Sequence, residues 1–361
     1  MPTTSVTLAW SVLAAAGQEA AEIQNDGLAR NCSTLTAYQE AHGKKGADWK
    51  GAQYYPAEII TEQHTAITQF TDGFDPFAGG AAEVQRVLMY PFAVSGLLMK
   101  MGVQQMYALA SSKGALRKQV TTLVAACAGV LKRAFEQRAL AGTGTGFGSW
   151  NSLNGIDSTS GILEQDAFGS QTNTIGGLAK SAYATVLGMQ NPAASLGGAF
   201  GSNLSALDRL LLKANNHAAN GDGKWAWFLT EAGCANLKQA TRGHEFFMNA
   251  KGGDDLDLGK PVGRYGGKPV YQNTVLPTTG TTTTASPMTA LLWDFQRIFW
   301  AFKRGGSDAG VTLPDGFFGV GEWGPLGGLQ SLVAGCPMMV AGNLIAADVG
   351  TSGIAYNGET Y

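Results

Sequence analysis

The stretch most easily taken for a phosphate cradle is Gly142-Thr143-Gly144-Thr145-Gly146-Phe147-Gly148. Backbone N–H groups of such a run can hold an anion where a glycine-rich loop opens a helix. A dinucleotide fingerprint, however, follows a strand, opens a helix and has the spacing G-x-G-x-x-G. This run follows a helical pattern, closes it and has different spacing. No Walker-type loop accompanies it. The pairs Gly43-Lys44, Gly223-Lys224, Gly259-Lys260 and Gly267-Lys268 all lack a glycine five residues before the Gly-Lys pair. The four histidines, His42, His64, His217 and His244, stand at no metal-ligand spacing, and no His-Glu-x-x-His occurs. No Gly-x-Ser-x-Gly elbow exposes a nucleophile. Asp254-Asp255-Leu256-Asp257-Leu258-Gly259 gathers three acids. It reads as a solvated turn or as a cation site shared between subunits, and it lacks the full ligand series of an EF-hand. These residues point to no enzyme and to no catalytic, cofactor or metal site.

Cys32, Cys127, Cys234 and Cys336 are scattered, with no Cys-x-x-Cys pair. Such cysteines are expected to be reduced and mostly buried, which favours assembly in a cytoplasm over secretion. One element concentrates charge. Over 115–140, Leu116, Val120, Leu123, Cys127, Val130 and Ala134 recur at three- and four-residue steps, the spacing of one buried helical face. The other face carries Arg117, Lys118, Lys132, Arg133 and Arg138 against a single acid, Glu136. This basic face has two readings. It forms salt bridges to acids of the same or a neighbouring subunit, or it meets the phosphates of packaged DNA without reading sequence. The whole chain carries 25 Lys and Arg against 27 Asp and Glu, without the basic excess of a dedicated nucleic-acid binder.

The elements that hold these residues follow from composition and pattern. Of 361 residues, 45% are apolar and only 14% charged, against roughly a quarter charged in a typical soluble domain. A chain so short of charge is either secreted or covers much of its surface with copies of itself. Leu8–Gly17 is apolar but lacks a basic segment before it and is too short to span a bilayer, so an amphipathic helix over 8–23 is expected. β-branched runs at 58–70, answered by 84–89 and 92–99, predict a long hairpin. Its tip is Thr71-Asp72-Gly73-Phe74-Asp75-Pro76-Phe77-Ala78-Gly79-Gly80, rich in turn dipeptides. The basic helix comes next, stopped by the glycine run. An α/β unit over 150–285 contains helices at 203–219 and 231–240 and strands at 225–229 and after Gly267. The apolar stretches 291–302 and 338–346 are expected as strands of a second sheet. Trp293, Phe295, Phe299, Trp300 and Phe302 then read as packing rather than as a cofactor box.

This order of parts resembles the Hong Kong 97-type major capsid proteins of tailed bacteriophages. The local matches are Phe135-Glu136-Gln137-Arg138-Ala139-Leu140-Ala141 running into the glycine turn, then Asn151-Ser152-Leu153-Asn154-Gly155-Ile156. A second match is Trp227-Phe228-Leu229-Thr230, a helix, and Gly267-Lys268-Pro269-Val270 with Leu276-Pro277. The resemblance implies an α+β chain of five parts. They are an N-terminal arm (1–50), an E-loop hairpin (51–106), a spine helix of the P-domain (107–148), an A-domain (149–285), and returning P-domain strands with a C-terminal segment (286–361). It implies a structural protein of the virion capsid that self-assembles into hexamers and pentamers of an icosahedral shell around double-stranded DNA. Scaffolding and decoration proteins are the further partners it suggests, with no membrane. Rival readings are an encapsulin-like compartment shell and a secreted glycine-rich hydrolase. In some members a hairpin lysine joins an asparagine of the next subunit. Here Gly51–Met99 contains no lysine, so a non-covalent shell is expected.

Overall fold

The computed structural model describes residues 3–26, 32–43, 46–60, 85–102, 104–105, 112–153, 161–183, 187–196, 204–217, 223–240, 262–277, 288–303, 307–308, 311–312, 317–325 and 333–357. The chain begins with helices α1 (Thr3–Asp26) and α2 (Ser33–His42). Strands β1 (Ala47–Asp48), β2 (Tyr54–Ile60), β3 (Gln85–Pro91) and β4 (Ala93–Gly102) lead to the long helix α3 (Lys113–Ala141). The central part holds β5 (Thr174–Ile175), β6 (Leu178–Ala179), β7 (Ala193–Ser195), α4 (Leu204–His217), β8 (Trp225–Leu229) and α5 (Glu231–Ala240). Then come β9 (Gly263–Tyr265), β10 (Lys268–Gln272), β11 (Met288–Asp294) and β12 (Ile298–Phe302). Short strands β13 (Ser307–Asp308), β14 (Val311–Thr312), β15 (Gly319–Gly321) and β16 (Gly324–Pro325) precede β17 (Val333–Ala346) and β18 (Gly353–Tyr356).

Among the described residues two larger sheets form. The first runs β7-β18-β11-β8-β10-β9. Its strand β8, Trp225-Ala226-Trp227-Phe228-Leu229, is buried throughout. Trp225, Trp227 and Leu229 pack with Leu207, Leu210 and Leu211 of α4 and Leu237 of α5, while Ala226 and Phe228 join the main core on the other face. A strand covered on both faces reads as an unbroken apolar run. The second sheet runs β1-β12-β17-β15-β14-β13, with β4 and β16 also on β17.

Two strand expectations need correction. The run 291–302 does not lie in one sheet. Leu291–Asp294 belongs to β11, paired with β8 and β18, and only β12 pairs with β17. The turn at Phe295–Arg297 carries the chain from one sheet to the other, and a continuous apolar run does not mark that change of partner. Likewise, β3 pairs with β2, from Tyr54↔Pro91 to Ile60↔Gln85, but β4 leaves the hairpin. It pairs antiparallel with β17 along its whole length, Ala93↔Gly342 to Gly102↔Val333. The hairpin tip, residues 71–80, lies outside the described residues.

Helix α3 has 29 residues, about 44 Å at 1.5 Å per residue. Ser112 caps its start, its side chain accepting from Ala115 N at 3.3 Å. Gly142 ends it at φ 73°, donating to Arg138 O at 3.2 Å. A side chain at Gly142 would be strained there. The buried stripe is Leu116, Val120, Val124, Ala128, Leu131, Phe135 and Ala139. The sequence pattern had placed Leu123, Cys127, Val130 and Ala134 on that face. The first two and Ala134 are only half-buried, and Val130 is 64% exposed. Two apolar stripes run side by side on this helix, and the larger rings of the core take the one containing Phe135.

The expected helix over 8–23 lies within α1, and both helices of residues 1–50 are part of this core. Leu13, Ala16, Ala20 and Ala21 of α1 are buried, and α1 packs along α3. Helix α2 is deeper, with Cys32, Leu35 and Tyr38 each about 1% exposed. The Tyr38 ring meets Trp300 edge-on at 5.1 Å, and its hydroxyl donates to Trp300 O while accepting from Ala47 N at 2.8 Å.

Candidate assembly surfaces

The hairpin base is fixed by one row of side chains and presents the other. Tyr55, Ala57, Leu88 and Tyr90 point inward. Tyr55 packs edge-on against Trp49 and Phe299 at 5.4 and 6.1 Å, and Tyr90 Oη donates to Ala346 O at 2.6 Å. Tyr54 and Met89 face solvent. The same alternation continues on β4. Ala93, Ser95, Met99 and Met101 are buried while Val94, Leu98 and Lys100 are exposed. Among the described residues the free edge of β4 pairs with no strand. A groove of about 680 Å³ is lined by Gly96 and Leu97 of β4, Val130, Arg133 and Ala134 of α3, and Phe147. Tyr54 and Met89 of the hairpin and Val94 and Leu98 of β4 are thus the large apolar side chains that this region leaves at the surface.

The five cations predicted as one basic face do not form one. At 3.6 residues per turn they spread over roughly 220° of α3. Arg117 is exposed and ion-paired with Glu19 of α1. Lys132 is buried, its Nζ donating to Gln24 O at 2.9 Å. Arg138 clamps the glycine turn, with Nε donating to Trp150 O at 2.7 Å, Nη1 to Gly142 O at 2.5 Å and Nη2 to Gly148 O at 3.0 Å. The glycine run is thereby a folded helix stop held by an arginine. Gly144 at φ 88° lies so close to Ala134 O that a Cβ would approach it to 2.4 Å. Lys118 and Arg133 remain exposed on α3.

Glu136, the single acid of α3, is buried where α2, α3 and the segment directly after β10 meet. Its Oε1 accepts from Thr34 N at 3.1 Å, Thr34 Oγ1 at 2.9 Å, Ser33 Oγ at 3.4 Å and Asn273 Nδ2 at 2.9 Å. Nothing in the sequence pattern singled out this junction, because its members are 240 residues apart. Burial pushes the Glu136 carboxyl above its ordinary value of 4.5, against the pull of these donors. A carboxyl raised in the folded state holds its proton where the unfolded chain has lost it, so stability falls as pH rises from 4.5 through the raised value. Glu136→Gln keeps an oxygen for the four donors and removes the titration. The downward slope of stability above pH 4.5 should flatten in this variant, measured by urea midpoints across a pH series. An unchanged slope would assign the titration elsewhere.

The remaining candidates are dispersed. His42 Nε2 lies 2.6 Å from Phe295 O, and His217 pairs with Asp348 at 2.8 Å. His64, His244 and the cluster Asp254–Gly259 lie outside the described residues. All four cysteines are free thiols, with Cys32, Cys234 and Cys336 buried and Cys127 half-buried. Trp293 and Phe295 stack at 4.6 Å in the core. Among the described residues no group of three His, Cys, Asp or Glu side chains is placed to hold a metal ion, and no helix is long and apolar enough to cross a membrane.

No family model matches the chain, and no curated protein matches it in sequence. Solved structures do match in fold. A capsid subunit of cyanophage A-1(L) is similar over 91% of this chain and 93% of its own, with a TM-score of 0.59 at 12% identity. The capsid protein of a native GTA particle is similar over 90% and 91%, with a TM-score of 0.50 at 12% identity. That of the empty GTA particle is similar over 90% of both chains, with a TM-score of 0.50 at 14% identity. Identities this low speak for architecture alone. With its core helix α3, its two sheets and a matched length of about nine-tenths, this chain has the Hong Kong 97-like fold of tailed-phage major capsid proteins.

Proposed function

We propose that this chain is a structural shell subunit, the major capsid protein of a tailed bacteriophage, which self-assembles into hexamers and pentamers around double-stranded DNA. One observation carries the reading: about nine-tenths of this chain follows capsid subunits that are themselves matched over about nine-tenths of their length. The subunit needs no active site for this role. In this reading 1–50 is the arm, 51–106 the E-loop, 107–148 the spine, 149–285 the A-domain, and 286–361 the returning segment. Met288–Asp294 and Gly353–Tyr356 are counted with the A-domain sheet that they extend. The exposed rows at Tyr54, Met89, Val94 and Leu98 are buried between subunits on assembly. Obligate interfaces of this kind cover on the order of 2,000 Å² or more.

Charge supports one placement of the hairpin. Residues 61–84 carry Glu62, Asp72, Asp75 and Glu83 and no Lys or Arg, whereas α3 exposes Lys118 and Arg133. The hairpin of one subunit lies across α3 of the next, and packaged DNA meets whatever positive charge remains. Scaffolding or decoration proteins join the same surfaces.

Electron microscopy of the purified protein tests the reading. Closed shells of uniform size are expected, and monomers at every concentration and salt would overturn it. Shells filled with protein cargo would favour an encapsulin-like compartment instead. The covalent state is testable on the same particles. Lys50 and Lys100 flank the hairpin and none lies between them. Arg86 cannot replace a lysine, because a guanidinium stays protonated. Boiled particles should run as one band near 37.6 kDa. A boiling-resistant ladder of pentamer- and hexamer-sized species would show that subunits are joined by another chemistry.

A further inference from the structure

Between α3 and α4 the chain buries a charge network that the shell reading does not use. Lys180 is 0% exposed and Glu164 3%, with Lys180 Nζ 3.2 Å from Glu164 Oε1. Asn191, also fully buried, places its Oδ1 3.1 Å from the same Nζ. That oxygen also accepts from Glu164 N at 2.9 Å, while Asn191 Nδ2 donates to Glu164 O at 2.8 Å. The carboxylate is held by Asn173 N at 3.0 Å and Thr172 N at 2.9 Å. Ile162, Leu163, Ile175 and Met189 of the same segment are buried in the main core.

The Lys180 ammonium finds an acceptor for each of its three N–H bonds, at Glu164, Asn191 and Gln171, as burial requires. One of these acceptors is a carboxamide whose oxygen also accepts from the Glu164 backbone N–H, while the Glu164 carboxylate lies against the same amine. We propose that Lys180 and Asn191 join autocatalytically in an intramolecular isopeptide bond between Lys180 Nζ and Asn191 Cγ, with Glu164 carrying the protons.

The steps balance without any co-reactant. Glu164 takes a proton from the Lys180 ammonium, leaving a neutral amine. Burial favours that transfer, and it lowers the Lys180 pKa to about 8 against the pull of Glu164. The Nζ lone pair attacks Asn191 Cγ, and the charge that develops on Oδ1 is held by the Glu164 N–H. Glu164 passes its proton to Nδ2 and receives one from Nζ. The Cγ–Nδ2 bond breaks and ammonia leaves. An ammonium, a carboxylate and a carboxamide become a secondary amide, a carboxylic acid and ammonia. The fold holds the reacting groups in contact, the condition for high effective molarity. Gln171 Oε1 is 3.2 Å from Nζ as well. Only at Asn191 do the oxyanion donor and the carboxylate belong to one residue, and we assign the bond there. The bond is separate from any link between subunits, for which the hairpin has no lysine.

Intact mass measured on the denatured full-length protein should fall about 17 Da below the sequence mass, one ammonia. Proteolysis should release a branched peptide joining the Lys180 and Asn191 segments, located by fragmentation. Lys180→Arg and Glu164→Gln should each restore the full mass. Backbone succinimide formation also loses ammonia; Asn191 cannot form one because Pro192 has no N–H, and a succinimide at Asn154-Gly155, Asn220-Gly221 or Asn357-Gly358 would give no branched peptide and would persist in Lys180→Arg. Native protein at the full sequence mass after prolonged incubation would overturn the proposal. So would a branch at Gln171, or a deficit that persists in Lys180→Arg. If the variants fail to fold, the branched peptide of the native chain decides the matter.

Discussion

Removing residues 1–50 is expected to abolish folding of the subunit, not merely its assembly. The family resemblance names this segment an N-terminal arm. Its second helix, however, is core. Cys32, Leu35 and Tyr38 are nearly inaccessible, and Ser33 and Thr34 supply three of the four donors to the buried Glu136. Fully burying one large apolar side chain is worth about 1.5–3 kcal/mol. A donor set stripped from a buried carboxylate adds a penalty of about 1–3 kcal/mol or more. Several such losses together reach the 5–15 kcal/mol or so that hold a typical domain. A chain of residues 51–361 should therefore show no cooperative melt by circular dichroism. A chain of residues 27–361, which keeps α2 and the Glu136 contacts, should melt cooperatively at a lower temperature. A cooperative melt from both, with native helix content, would return these residues to the role of a detachable arm.

Phe135→Ala should cost about 3–5 kcal/mol, the usual loss for a large aromatic side chain in a packed core. Phe135 is 2% exposed. Its ring lies 4.9 Å from both Trp300 and Phe317, 5.3 Å from Trp150 and 5.5 Å from Phe147. It thus joins α3, the segment after the glycine turn, strand β12 and the segment leading into β15. No neighbour can collapse into the space without moving one of these elements. Urea unfolding of the two proteins measures the difference, with Phe135→Leu expected to fall between them. A loss below about 1 kcal/mol would mean that the ring cluster is looser than these distances require.

Much of this architecture was legible in one dimension. Helices α3, α4 and α5 and strands β8 and β10 follow from local periodicity and turn chemistry. Local signals suffice for them because helix spacing, a glycine stop and a doubly covered apolar run are properties of neighbouring residues. The absence of nucleotide-binding or nucleophile spacing and the run without lysine from Gly51 to Met99 belong to the sequence in the same way.

What tertiary structure decided is which partner each element takes. Val130 and Phe135 are both apolar and both lie on helical stripes, and only the packing of Trp300 and Phe317 selects the second. Strand β4 reads as the return of a hairpin, yet its ladder is completed by β17, more than 200 residues away. The five cations share a composition, but Lys132 and Arg138 are spent on carbonyl oxygens of their own chain. The clusters at Glu136 and at Lys180 escaped the sequence reading for the same reason. A lone buried acid or lysine is unremarkable in a sequence. Its meaning depends on donors and acceptors brought beside it by distant segments, and hydrogen bonds act over about 3 Å of space rather than over any spacing along the chain.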